Sequence, residues 1–200
     1  MSRPHHALLL ALALIFAPLF AFAASDPAAA RVEAFNAQVL SVMKRGPALG
    51  PEGRFRAFLP IVENAFDIPL MTRFAVGPGW ATMNEADRRA LTTDFARLTA
   101  ASYARNFDRY SGERFPVDPN PVARGGDRIV KAEIVPTSGA PVQLLYRLHQ
   151  TGGTWKIVDV YFGAVSQLTT RRADFAGPLA SGGAKSLEAH LDLLIRDLLK

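Results

Sequence analysis

Residues 142–162 read VQLLYRLHQTGGTWKIVDVYF, and the order of side chains in this stretch decides the architecture. Val142, Leu144, Tyr146 and Leu148 alternate with Gln143, Arg147 and His149, the period of two expected of a strand with one covered face. Gly152-Gly153 reads as a two-residue turn, because adjacent glycines supply the positive φ angles of a tight hairpin, and Trp155 to Phe162 is the returning strand. Two registers are open to the pair. A two-residue turn sets Thr151 opposite Thr154, and counting outward gives Leu148 opposite Ile157, Tyr146 opposite Asp159 and Leu144 opposite Tyr161, with a carboxylate on the covered face. A slip of one residue pairs Arg147 with Asp159 as a salt bridge on the polar face and turns Val158, Val160 and Phe162 inward.

Toward the N-terminus the same period continues. Val130, Ala132 and Ile134 alternate with Lys131 and Glu133, and turns fall at Gly125-Gly126 and at Pro136 to Gly139. Before Ser111 the period becomes helical. Asp26-Pro27 reads as an N-cap and first helical residue, Val32, Phe35, Val39 and Val42 or Met43 follow at helical spacing, and Gly46-Pro47 ends that helix. A second helix carries Phe55, Phe58 or Leu59, Val62 and Phe66, and Asp67 caps a short third one that runs to Phe74. Gly77-Pro78-Gly79 breaks the chain. The capping-box spacing of Thr82 and Glu85 then predicts a long helix to about Tyr110, with two adjacent apolar stripes and therefore more than one covered side. Beyond the hairpin, Gly182-Gly183 opens a final helix with Leu187, Leu191, Leu194 and Leu198 along one face. Helices segregated to one face of an antiparallel sheet make an α+β domain.

The 200 residues hold 23 Lys+Arg against 18 Asp+Glu and no Cys, which suits one domain with a real core and excludes disulfides and thiolate chemistry. The basic balance permits anionic partners, but no basic run interleaves with aromatic residues, so nucleic acid is not expected. Arg3, His5 and His6 precede an apolar run from Ala7, and Ala21-Phe22-Ala23 precedes Ala24 as an A-x-A site. Residues 1–23 therefore read as an export signal and 24–200 as a single exported domain.

Catalytic constellations are scarce. Of the His residues after the signal, neither His149 nor His190 stands at a metal-ligand or Ser-His spacing, and no GxGxxG or P-loop occurs, so no metal or cofactor is expected. The enzyme reading that remains is a small isomerase or hydratase of cone-shaped α+β type. In it, desolvated Asp159 beside Tyr146 would act as acid-base pair and oxyanion donor.

The apolar and aromatic residues exceed what a two-layer core needs, and their order carries a resemblance. Phe66-Asp67-Ile68-Pro69-Leu70-Met71 with Gly77 and Trp80, Ser102-Tyr103-Ala104 through Tyr110-Ser111-Gly112, then Tyr146-Arg147, Trp155 to Val160, Val165-Ser166, Arg171-Arg172 and Phe175 resemble the MlaC (toluene-tolerance) family of periplasmic phospholipid carriers. Tyr110 to Glu113, Val158 to Tyr161 and Thr170-Arg171-Arg172 look more like its HpnM branch, associated with hopanoid biosynthesis. Where the family usually has a polar or acidic residue and then Gly before Val-Ser, this chain has Gly163-Ala164, which moves any glycine-dependent bend one residue earlier.

The resemblance implies a curved sheet with an NTF2-like cone of helices around an apolar lipid pocket, and a carrier without catalytic activity. It implies shuttling of phospholipid, or hopanoid, between an inner-membrane MCE-domain ABC transporter complex and an outer-membrane lipoprotein complex in the periplasm. Lining residues on this reading are Phe66, Met71, Phe74, Trp80, Phe95, Leu98, Tyr103, Phe107, Leu144, Tyr146, Leu148, Ile157, Tyr161 and Val165. Arg147, Arg171 and Arg172 are the expected head-group or partner contacts.

Overall fold

The computed structural model describes residues 26–200, so the export signal read at 1–23 lies outside the described residues. Helices α1 (Pro27–Ala65), α2 (Ile68–Val76) and α3 (Glu85–Asn106), with a 3₁₀ turn at Gly77–Thr82, precede the sheet, and α4 (Gln167–Leu198) follows it. The strands β1 (Val122–Arg124), β2 (Asp127–Ile134), β3 (Val142–Thr151), β4 (Thr154–Phe162) and β5 (Val165–Ser166) pair antiparallel in chain order, giving an open five-stranded sheet. Among the described residues no helix is long and apolar enough to cross a membrane.

The helix starts follow from side-chain caps. Asp26 accepts the Ala28 N–H at 2.8 Å, and Asp67 accepts the Leu70 N–H at 3.0 Å with Oδ1 while Oδ2 takes the Thr151 hydroxyl at 2.7 Å. One carboxylate thus caps α2 and ties it to the β3–β4 hairpin. The start of α3 differs from the capping box expected at Thr82: the Thr82 hydroxyl is spent on the Gly79 carbonyl, and Asn84 caps instead, accepting the Asp87 N–H at 2.8 Å. Nor does Gly46-Pro47 end the first helix. The chain stays helical to a kink at Gly50, whose φ of 63° lies in the left-handed region. Gly46 serves a close approach, since a Cβ there would stand 2.1 Å from the Asp108 carbonyl oxygen. Buried Arg54 locks the contact, donating to Ala104 O at 2.9 Å and Gly46 O at 3.2 Å.

The hairpin uses both registers read from the sequence, each over one half. Leu148 pairs with Ile157 as the tight turn requires, with Gly152 and Gly153 at φ 57° and 78°. A bulge then shifts the ladder by one, so that Arg147 faces Asp159, Tyr146 faces Val160 and Leu144 faces Phe162. The reason is burial: Ile157 and Val158 are 0% and 5% exposed, and one extra residue keeps apolar groups on the covered face along the whole strand. The expected Arg147–Asp159 salt bridge does not form, because Arg147 Nε is held by Asp127 Oδ2 at 2.5 Å.

The core lies between the helices and one face of the sheet, where Val130, Leu144, Tyr146, Leu148, Ile157 and Val160 meet Val32, Phe35, Phe58 and Leu98. Gly163, at φ 57°, makes the turn from β4 to β5 at the earlier position read from the sequence.

Candidate functional site

A cavity of about 130 Å³ lies where α2, α3 and the start of α4 converge on β3 and β4. Most of its lining is apolar or aromatic: Phe66, Met71, Phe95, Tyr103, Phe107, Leu144, Tyr146, Val160 and Leu168. Polar groups join it, Thr99, Ser102 and Asn106 from α3, Gln167 and Arg171 from α4, and Asp159 from β4. Phe162 lines the cavity and is 42% exposed, so it marks the opening.

The apolar lining is set by an aromatic cluster drawn from α1, α3 and their C-terminal ends. Phe35 meets Phe66 and Tyr103 edge-on, with ring centres 5.2 and 5.4 Å apart, and Phe107 stacks on Tyr103 at 5.4 Å. Such pairs fix ring orientation as well as burying area. Burial pushes the Tyr103 and Tyr146 hydroxyls upward in pKa, with the neighbouring Tyr146 adding to the effect on Tyr103, so both remain neutral. Tyr146 donates to Asn36 Oδ1 at 3.2 Å, and Asn36 Nδ2 is buried without a partner.

Most of the polar lining groups are committed to local bonds. The Thr99 and Ser102 hydroxyls donate to carbonyls one turn back, at Phe95 and Leu98. Arg171 reaches Asp174 Oδ2 at 3.3 Å and Ser102 Oγ at 3.4 Å, with its side chain 32% exposed, which places a cation between the cavity and solvent. Asp159 accepts the Ser166 hydroxyl at 2.6 Å and the Leu168 and Val160 N–H groups at 3.0 and 2.8 Å. Ser166 in turn caps α4 through the Thr169 N–H at 2.9 Å. The 4% exposed Asp159 carboxylate therefore holds the N-terminus of α4 to the sheet. Tyr146 and Asp159 both border the cavity, yet the hydroxyl is engaged by Asn36 and the carboxylate by α4, so they are not the hydrogen-bonded pair that the acid-base reading needs. Among the described residues no three His, Asp or Glu side chains gather as metal ligands would.

Of the lining residues expected from the sequence, Phe66, Met71, Phe95, Tyr103, Phe107, Leu144 and Tyr146 meet at the cavity, together with Arg171. The others lie elsewhere. Leu98, Leu148 and Ile157 are packed into the core at 1% exposure or less. Tyr161 pairs with Leu145 and lies with Arg147 on the opposite face of the sheet, because the bulge reverses the side on which odd-numbered residues of β4 emerge. Val165 is 57% exposed in β5, and Trp80 stands in the 3₁₀ turn beneath the Arg88 guanidinium. Phe74 is 44% exposed on α2 under Arg172. Thr99, Ser102 and Asn106 were not among the expected lining residues, although Ser102 belongs to the motif that carries the resemblance and all three fall with Phe95 and Tyr103 at helical spacing on a single stripe. Gln167 and Leu168 were missed with the first half of α4.

A family model described as MlaC protein matches residues 33–192 of the chain. Among curated proteins none is similar enough in sequence to count as a relative. Among solved structures, a phospholipid-binding protein from Ralstonia solanacearum, in complex with a phospholipid, superposes with a TM-score of 0.73 at 23% identity, covering 88% of this chain and 100% of that one. At that identity the likeness speaks for the fold.

Proposed function

This chain belongs to the MlaC family, and from that premise we propose that it is a lipid carrier that shields acyl chains in the cavity between α3, α4 and the sheet. The observation that carries the reading is the make-up of the cavity wall, mostly apolar and aromatic side chains joined by the polar groups of Arg171, Ser102, Asn106, Gln167 and Asp159. Each methylene kept from water is worth roughly 0.8 kcal/mol, so long tails hold a lipid by burial alone, with little head-group chemistry. Arg171 is the cation placed to meet an anionic head group, because its side chain lies between the cavity and solvent.

The family reading supports phospholipid as cargo, and the motifs shared with the HpnM branch support a hopanoid as the alternative. In the same reading the protein works in the periplasm after removal of residues 1–23. It shuttles lipid between an inner-membrane MCE-domain transporter complex and an outer-membrane lipoprotein complex, with no catalytic step of its own.

Native mass spectrometry of detergent-free protein from a bacterial envelope tests the cargo. A phospholipid adduct supports the leading reading and a triterpenoid adduct the alternative. Leu144→Arg, which drives a charge into the apolar wall, is expected to abolish the adduct while the protein stays folded by circular dichroism. Full retention of lipid by that variant sinks the assignment of this cavity.

A further inference from the structure

Outside the cavity, a groove between α2 and the start of α4 is lined by Leu70, Arg73, Phe74, Gly77, Pro78 and Arg172. Leu70 and Phe74, one turn apart on α2, are 39% and 44% exposed. The Arg172 guanidinium lies 5.2 Å above the Phe74 ring and fits against Gly77, where a Cβ would come within 3.2 Å of it. No carboxylate lines this groove. Met71 and Arg171, the sequence neighbours of Leu70 and Arg172, line the cavity, so two of the three helices that wall the cavity carry the groove as well. Val165, 57% exposed in β5, pairs with Phe162 at the cavity opening and leads through Ser166 into the first turns of α4, which carry Arg172.

We propose that this groove and the adjoining rim dock the protein on an anionic bilayer surface; the inference rests on the carrier reading and names where the cavity meets its lipid source. The chemistry fits such a surface. Guanidinium groups match phosphate geometry, exposed Leu and Phe side chains immerse at the head-group boundary, and each basic residue near an anionic surface strengthens binding about fivefold. A stable protein partner needs about 800 Å² on each side, far more than two apolar side chains and two guanidiniums provide. Weak, reversible contact is what a shuttle needs.

Co-sedimentation of the purified protein with vesicles of phosphatidylglycerol in phosphatidylcholine, against pure phosphatidylcholine, tests the proposal, with the lipid load followed by native mass spectrometry in the same samples. The protein is expected to bind the anionic vesicles about tenfold or more tightly, and to leave them at high salt. Leu70→Glu and Arg73→Glu should each weaken that binding by about tenfold without changing the lipid load. Lys131→Glu, on the far face of the sheet, should bind as the parent does. Absence of vesicle binding, or equal binding by the two groove variants, overturns the docking surface. A loaded protein that ignores vesicles overturns docking and leaves the carrier reading standing; vesicle binding by a chain that never carries lipid supports docking and overturns the carrier reading.

Discussion

Asp159 stands across from Arg147 in the hairpin, yet Asp127 holds that guanidinium, and the two carboxylates are used differently. Asp159 looks like a catalytic acid when only the alternation of β4 is considered, and in the fold it is the residue that anchors α4. Asp159→Ala is expected to cost about 1–2 kcal/mol in urea denaturation, and Asp159→Asn, which keeps an acceptor but loses the charge at the helix N-terminus, about half of that. Equal stability of all three proteins would falsify the anchoring role. On the opposite face of the sheet, Asp127 is bound by His149 Nδ1 at 2.7 Å and by Arg147. Burial opposes its ionisation, but the hydrogen bonds from His149 and Arg147 and the Arg147 charge prevail and hold its carboxyl below the usual carboxylate range. The folded-state pKa lies below the unfolded value of about 3.9, so the stabilisation is complete above that pH and fades as pH falls through the native value. Asp127→Asn should therefore destabilise at neutral pH, with the gap to the parent closing as pH drops below about 4. A gap that stays constant over that range counts against the ion cluster.

At the scale of elements, Gly177 and Gly46 each stand before a proline inside a helix and differ in what surrounds them. Replacing a helical Gly by Ala ordinarily stabilises by up to about 1 kcal/mol, but the ring of Pro178 crowds a Cβ on the residue before it, so Gly177→Ala in α4 should gain little or nothing although no other group is near. Gly46→Ala should be clearly destabilising. Its Cβ would meet the Asp108 carbonyl at 2.1 Å, and overpacking of this kind costs about 1–3 kcal/mol, more than propensity returns. Thermal melts, near the parent's for Gly177→Ala and clearly lower for Gly46→Ala, check both statements. The early stop expected at Gly46-Pro47 fails for the same reason: local sequence marks a helix breaker, and only the fold brings α1 against the end of α3. For α4, Leu168, Phe175 and Leu179 already keep a helical spacing ahead of Gly182-Gly183. That half of the helix was legible but hidden behind the glycine pair.

For the molecule as a whole, size decides what the cavity can do. A cavity of about 150 Å³ takes one benzene-sized molecule, so about 130 Å³ is too small for a pair of long tails. Loading a two-tailed lipid therefore requires the walls of the cavity to move apart. Hydrogen exchange on loaded and delipidated protein should differ most in α3 and the first half of α4, and loading should raise the melting temperature as any native-state ligand does. Identical exchange in both forms would place the lipid elsewhere.

The sequence alone determined the α+β class, the hairpin turn, the starts of α1 and α2 and half of the cavity wall, because periodicity, caps and glycine pairs are local physics. Tertiary structure decided which face each side chain joined. One bulged residue in β4 sends Tyr161 to the far side and Val160 to the cavity, and no local signal marks it, because the bulge exists to satisfy burial on both sides of Val158 at once. The polar stripe of α3 and the bond from Asp159 to α4 likewise became visible only when residues distant in sequence shared one wall.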